Sequence, residues 1–357
     1  MGIKARVIAF YLPQFHPIKE NDEWWGKGFT EWTNVGKAKP LFRGHYQPRV
    51  PADLGYYDLR VPEVRAAQAA MAEEYGVEGF CYWHYWFGHG KRLLERPFEE
   101  VLRSGKPEFP FCLGWANETW SGIWHGQSNK LLIEQRYFGI LDYEAHFYDV
   151  LDAFKDSRYI CVDSKPLFYI YKPMLLPDAT AFIELWQNLA IKNGLKGIYF
   201  VGYCPRFEDK NDILKLGFDA VNLSRLFDVE RLNTNRIQRG ITHRIFKKLR
   251  VFDYEKAFKY FVGDEEKDIS CIPTIYPNWD NSPRSKERGY IFVNSTPKLF
   301  KRHVKQVLDI VKDKPSENRV LFLKSWNEWA EGNYMEPDLI YGKEYLEVLK
   351  EELTTEK

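Results

Sequence analysis

The sequence predicts an α/β protein, a single-domain (β/α)8 TIM barrel with long βα loops, and three observations carry that expectation. Short runs rich in β-branched and aromatic residues alternate with longer amphipathic stretches eight times along 357 residues. Strands separated by helices must pair in parallel, and eight such units are the number that closes a barrel. No glycine-rich phosphate loop follows the first strand, which argues against an open, doubly wound sheet.

The elements follow in order. The first strand is Arg6–Leu12, cut off by Pro13. A helix over Pro62–Tyr75 puts Val64, Ala67, Ala70 and Met71 on one face. Strand Val77–Tyr85, helix Leu93–Leu102 and strand Phe109–Trp115 come next, then helix Tyr143–Phe154 and strand Pro166–Tyr171. Helix Ala179–Asn193 runs into Gly194, a natural C-terminal stop. Strand Gly197–Tyr203, a short helix near Asp212–Leu216 and strand Asp219–Leu223 follow. A basic insertion, Arg231–Arg250, precedes helix Tyr254–Phe261. Strand Cys271–Tyr276, helix Pro297–Val311, strand Arg319–Ser325 and helix Lys343–Leu353 complete the set. No linker, repeat or low-complexity segment interrupts the pattern, so residues 1–357 read as one barrel domain carrying that insertion.

Charge excludes some functions. Lysine and arginine total 51 against 50 acidic residues, which leaves no field to steer nucleic acid or an anionic membrane. The cluster Arg239–Arg250 reads as a solvated surface. No stretch approaches the ~20 apolar residues of a membrane span, and the N-terminus lacks the apolar core and cleavage site of a signal peptide. The five cysteines are widely spaced without a Cys-x-x-Cys pair, as expected of reduced, buried thiols in a cytoplasmic protein. His16, His45, His84, His89 and His125 are scattered, and none belongs to a His-Glu-x-x-His or other compact set. Neither metal nor cofactor is expected.

Aromatic content, 17% of the chain, is the outlier. Eleven of the twelve tryptophans fall at or just after the C-terminal end of a predicted strand, and only Trp186 sits in a helix. That end is the catalytic face of a barrel. Roughly half of these rings are expected to plug the top of the core, since large aromatics are mostly buried. Core packing alone would not confine them to one rim, whereas flat rings stack on the C–H faces of pyranose sugars. A carbohydrate cleft accounts for the pattern. Its candidate substrate contacts are Tyr11, His16, Trp32, Trp83, His84, Trp115, Asn117, Glu118, Tyr276, Trp279, Asp280 and Trp326.

The sharpest local feature is Lys324-Ser325-Trp326-Asn327-Glu328-Trp329-Ala330-Glu331-Gly332-Asn333-Tyr334-Met335-Glu336-Pro337. It sets Glu328 and Glu331 three residues apart on the rim after the eighth strand. Cleaving a glycosidic bond needs one carboxyl to protonate the leaving oxygen and a second as base or nucleophile near the anomeric centre. Tryptophans on either side would desolvate such a pair and raise one pKa. Glu118, in Ala116-Asn117-Glu118 after strand three, is a rival acid that would leave Glu328 as nucleophile. Asp280 and Glu31 read as binders of sugar hydroxyls.

These motifs are similar to those of the bacterial WbsX-type proteins. The resemblance runs through Ala9–Pro17, Asn21–Val35, Gln47-Pro48-Arg49, Phe80–Phe87, Trp115–Glu118, Pro277–Asp280 and Trp326–Pro337, nearly the whole chain. That group often carries a glycosyltransferase label, and it looks like a relative of the glycoside hydrolase family 99 endo-α-mannosidases and endo-α-mannanases. The resemblance implies a barrel in which Glu328 acts as base on the substrate 2-hydroxyl and Glu331 as acid and then base, through a 1,2-anhydro sugar. Asn327, Gly332 and Glu336-Pro337 fit the same motif, which adds Asn327 and Glu336 to the substrate-binding candidates. The leading expectation is a metal-independent retaining glycoside hydrolase of bacterial polysaccharide, with a mannoside-like α-linkage suspected. Its rivals are a glycosyltransferase of surface-polysaccharide synthesis, against which the lack of any Asp-x-Asp argues, and a non-catalytic carbohydrate-binding barrel.

Overall fold

A computed structural model of the protein describes residues 2–122, 130–233 and 249–354. Eight strand positions alternate with helices: β1 Arg6–Tyr11, β2 Gly79–His84, β3 Phe111–Trp115, β4 Lys165–Ile170, β5 Tyr199–Cys204, β6 Ala220–Leu223, β7 and β8 Val320–Leu323. The β7 position is made of two short pieces, Cys271–Ile272 and Thr274–Ile275. Every neighbouring pair around the ring is parallel, from β1–β2 through β5–β6. Closure falls to β7. Cys271–Ile272 pairs with β6, Thr274–Ile275 pairs with β8, and β8 returns to β1. Pro273 explains the break, because it has no N–H for a ladder; its carbonyl still accepts from Phe322 N at 3.0 Å.

Helices pack outside this ring. They are α1 Pro62–Glu74, α2 Arg96–Ser104, α3 Ile140–Lys155, α4 Ala179–Lys192, α5 Lys210–Lys215, α6 Tyr254–Ala257, α7 Pro297–Val311 and α8 Glu344–Leu353. In α7 the Thr296 hydroxyl accepts from Leu299 N, and Phe300, Val304, Val307, Leu308 and Val311 form the buried stripe. Below the C-terminal ends of the strands the barrel is filled with rings. Phe10 stacks on Trp83 at 4.8 Å and on Phe322 at 4.9 Å, and Tyr169 meets Phe10 edge-on at 5.0 Å.

The structure departs from the expected elements mainly in the loops and on α1, whose buried face is Arg65, Gln68, Ala69 and Ala72, with Ala67 and Ala70 exposed. Strand three begins at Phe111, after the proline whose carbonyl accepts from Phe80 N. The stretch expected as strand Arg319–Ser325 is a strand only over Val320–Leu323, and its continuation forms a small hairpin. Arg250–Asp253 and Tyr290–Val293 make a separate two-stranded parallel sheet. It covers a second apolar cluster that includes Leu226, Val229, Tyr254, Phe261, Tyr276 and Trp279. Most of the basic insertion, residues 234–248, lies outside the described residues, as do Trp124 and His125. All five cysteines are unpaired, and four of them are buried. Among the described residues, no helix is long and apolar enough to cross a membrane.

Candidate active site

The loop after β8 is built to hold two carboxyls. Asn327–Glu328 pairs antiparallel with Asn333–Tyr334, and a 3-10 turn, Trp329–Glu331, joins them. Gly332 closes the turn at φ 63°, where a side chain would be strained. A Cβ there would also lie 2.8 Å from the Asp280 backbone N. That close approach lets Asp280 N–H donate to the Glu331 carbonyl at 2.7 Å, so the loops after β7 and β8 are stitched together. On the other flank the Asn327 amide accepts from Leu12 N at 2.7 Å and donates to Leu12 O at 3.0 Å. Trp326 N–H donates to Phe10 O at 2.8 Å. The hairpin thereby continues alongside β1.

Glu328 is buried and accepts from the Ser325 hydroxyl at 2.9 Å. Glu331 accepts from Arg284 Nη1 at 2.6 Å, and the same guanidinium holds Glu31 at 2.8 Å. Burial, then the charge of Glu328, push the Glu331 carboxyl up to about 7; Arg284 and Lys324 oppose the shift. Burial raises Glu31 as well, against the pull of Arg284. Burial works against the Arg284 charge, but Glu31, Glu331 and Glu328 together hold its pKa above the usual value. A protonated acid beside a second carboxyl is the arrangement needed to protonate a leaving group while another group accepts a proton.

The two glutamates open into a cleft of about 440 Å³. Trp25, Trp83, Trp120, Trp279, Tyr85, Tyr171 and Tyr203 supply its rings, and Glu31, Glu118, Lys172, Arg284 and Lys324 its other charges. Of the substrate contacts expected from sequence, Trp83, Glu118 and Trp279 line this space with the pair. Glu118 lies 3.7 Å from Lys172, and burial raises its pKa while Lys172 opposes.

The remaining candidates stand behind the walls. The Tyr11 hydroxyl donates to Gln68 at 2.7 Å, and Trp32 packs on Trp329 at 5.6 Å while donating to Tyr57 O. His16 is buried, its pKa pushed down to about 4 by that burial. His84 faces His146 at 2.8 Å, where burial pushes it down to about 3. Trp115 is fully buried and donates to Trp86 O. Asn117 clamps the Lys172 backbone through both its donor and its acceptor. Tyr276 pairs with the Ser224 hydroxyl at 2.6 Å, and Trp326 packs under the hairpin on Phe80. Asp280 is enclosed by His45 at 2.8 Å and Gln47 at 2.7 Å; burial opposes its charge, but the His45 bond, the charge of Arg49 and the Ser282 bond keep its pKa low. Asn327 serves the Leu12 backbone. Glu336 accepts from Trp329, Tyr57 and Gln68 at 2.6, 2.8 and 2.6 Å.

One physical reason covers the split. A ring at a strand end turns inward or sideways with the pleat, and a loop's register is not written in its composition. Arg284, Lys324, Lys172, Tyr85, Tyr171 and Tyr203 line the cleft without having been singled out. Arg284 carries no local signal, because its partner Glu31 lies 253 residues away in the chain. Among the described residues no group of three or more His, Cys, Asp and Glu gathers as a metal ion would need.

The family model described as glycosyltransferase WbsX matches residues 7–349. Two curated relatives, both called uncharacterized protein WxcX, come from strains of Xanthomonas campestris pv. campestris and are 39% and 38% identical over 354 residues. The match takes in 99% of this chain and 50% of each relative, so the chain spans about half the length of the curated relatives it matches. Among solved structures, the chain resembles a GH99 endo-alpha-mannosidase from Bacteroides thetaiotaomicron bound to Bis-Tris propane. That likeness has a TM-score of 0.62 at 14% identity, over 99% of this chain and 97% of that one. A second structure, of a glycoside hydrolase-like protein, has a TM-score of 0.60 at 17% identity over 100% and 95% of the two chains. At such identities the likeness establishes the barrel fold.

Proposed function

The chain belongs to the WbsX family, and from that premise we propose that it is a retaining glycoside hydrolase acting on a bacterial oligo- or polysaccharide. The observation that carries the reading is Glu331, held protonated to about pH 7 beside Glu328 in a cleft walled by aromatic rings. In this reading Glu328 takes the proton of the sugar 2-hydroxyl, and O2 attacks the anomeric carbon. The glycosidic C–O bond breaks as Glu331 gives its proton to the leaving oxygen. Water then attacks the anomeric carbon, Glu331 takes its proton, and the C1–O2 bond opens with return of the proton from Glu328 to O2. Every proton is restored and two inversions give net retention. Arg284 and Glu31 orient Glu331. An α-mannoside, the linkage for which the GH99 neighbour is named, is the first to test. We place the activity in the cytoplasm, supported by the unpaired thiols, and treat residues 1–357 as one catalytic barrel.

The family description favours a second reading, transfer from an activated donor to a sugar acceptor. Incubation of purified protein with bacterial polysaccharides, with and without sugar nucleotides, separates the two. Release of reducing ends without a donor supports hydrolysis. Donor consumption, lost on chelation and restored by manganese or magnesium, overturns it.

A further inference from the structure

Among the described residues three cations line the cleft, and two of them have carboxylates to hold. Arg284 grips Glu31 and Glu331, and Lys172 lies 3.7 Å from Glu118. Lys324 has none: among the described residues, no carboxylate lies within ion-pair distance of its ammonium and no acceptor takes its N–H bonds. What surrounds it is aromatic, with the Phe10, Trp83 and Trp279 rings centred 5.7, 5.9 and 5.7 Å from Nζ. Those rings attract the charge but accept no conventional hydrogen bond from it. Lys324 also immediately precedes Ser325, which bonds Glu328, so its side chain stands on the cleft floor close to the reacting pair.

A sugar stacked on Trp83 or Trp279 would shut solvent away from this ammonium. Neutral hydroxyls return only part of the lost solvation, whereas an anionic oxygen returns a charge-assisted hydrogen bond. The carboxylates nearby are engaged elsewhere: Glu31 and Glu331 by Arg284, Glu328 by Ser325, and Glu118 by Lys172 at 3.7 Å, so the charge of Lys324 reaches Glu118 and Glu331 only from beyond ion-pair distance. We propose that the cleft takes a glycan whose sugar beside the paired glutamates carries an anionic substituent, a carboxylate or a phosphate, and that Lys324 selects it.

The inference rests on the glycosidase reading only for the place of the reacting sugar, so its test measures binding apart from turnover. Oligosaccharides from uronate-bearing and from phosphate-bearing bacterial polysaccharides are each paired with a carboxyl-reduced or dephosphorylated counterpart. Tryptophan fluorescence of the protein then gives Kd for both members of a pair. The charged member of at least one pair should bind roughly 10- to 100-fold more tightly than its neutral twin. K324M should abolish that preference, and K324R should keep most of it. Preference for a uronate pair identifies a carboxylate, and for the other pair a phosphate. Equal binding of both members, binding of neutral members alone, no binding of any charged glycan, or a preference that survives in folded K324M overturns the proposal. Should K324M fail to fold, the wild-type comparison of charged and neutral members decides. Charge-dependent binding through Lys324 with no bond cleaved would sink the glycosidase reading and leave this inference standing.

Discussion

Glu331 and Glu336 sit five residues apart in one loop, and each has its pKa pushed up to about 7, yet the two regions around them are built for different ends. At Glu331 burial is joined by a like charge, Glu328, and the opposing groups are cations. The carboxyl faces the cleft. At Glu336 burial acts alone, and the opposing groups are neutral donors from Trp329, Gln68 and Tyr57. That carboxyl is tied to Trp329, Tyr57 and Gln68 and edges a smaller cavity shared with Asp280 and Asp338, away from the aromatic cleft. A raised pKa therefore marks desolvation in both places, and the proposed chemistry falls to the carboxyl that faces the aromatic cleft. Glu336 fastens the Trp329 indole under the hairpin, and Glu331 uses the rigidity that results.

The comparison breaks most visibly in the carboxyls themselves. Glu331→Gln should cost roughly 10²–10⁴ in turnover with the fold intact, least for substrates with good leaving groups. Glu328→Gln should be severe with every leaving group, and a 2-fluoro substrate should fail with the native enzyme. If Glu118 is instead the acid, Glu118→Gln takes over the leaving-group dependence, and mass spectrometry of the intact protein finds a sugar ester on Glu328.

Stability should fail on the other side. Trp115→Ala removes a fully buried ring and should cost about 3–5 kcal/mol in urea unfolding. Glu336→Ala, which strands the donors of Trp329 and Gln68, should cost about 1–3 kcal/mol. Substrate affinity of the folded fraction should hold in both, and a large rise in Kd would move these residues into the cleft.

Titration sharpens the contrast. Both carboxyls are raised on folding from an ordinary value near 4.5, so the folded chain favours their protonated forms. Their penalty is absent below pH 4.5, grows as pH rises towards about 7, and levels off above it. Thermal stability should thus fall between about pH 4.5 and 7, and Glu336→Gln should flatten that fall without moving the activity profile. Activity should decline on the alkaline side around pH 7 as Glu331 ionises. Arg284→Met removes a cation that opposes the shift, and should move that limb to higher pH. A limb unmoved by Arg284→Met and by Glu331→Gln would assign the acid elsewhere.

The smallest effect is expected at the cleft wall. Trp279→Ala or Trp83→Ala should weaken glycan binding by about 1 kcal/mol. Lost stability with unchanged binding in the folded fraction would make them plugs like Trp115.

The barrel was legible because its signal is periodic and local: eight apolar runs separated by amphipathic ones. The placement of Glu328 and Glu331 at the cleft was legible because they follow the last run in a motif dense with tryptophan. The break at Pro273 was not foreseen in the run Cys271–Tyr276, although a proline in a strand invites one. The aromatic rim was legible as a location and not as a surface. Trp83 and Trp279 reach the cleft, while Trp115 and Trp326 turn into the core. Arg284 escaped for a different reason: its meaning lies in two carboxyls brought from distant loops, and nothing in Asn281-Ser282-Pro283-Arg284 encodes them.

The Asn327 amide, which exchanges both hydrogen bonds with the Leu12 backbone, behaves as a peptide group lent by a side chain. It zips the final loop to the opening strand at the seam where the first and last parts of the chain meet. A barrel made from one end to the other can fasten that seam only when its last strand has arrived. Recovery of turnover after dilution from denaturant would then time the closing of the ring itself, trailing the return of helical signal and of most tryptophan burial.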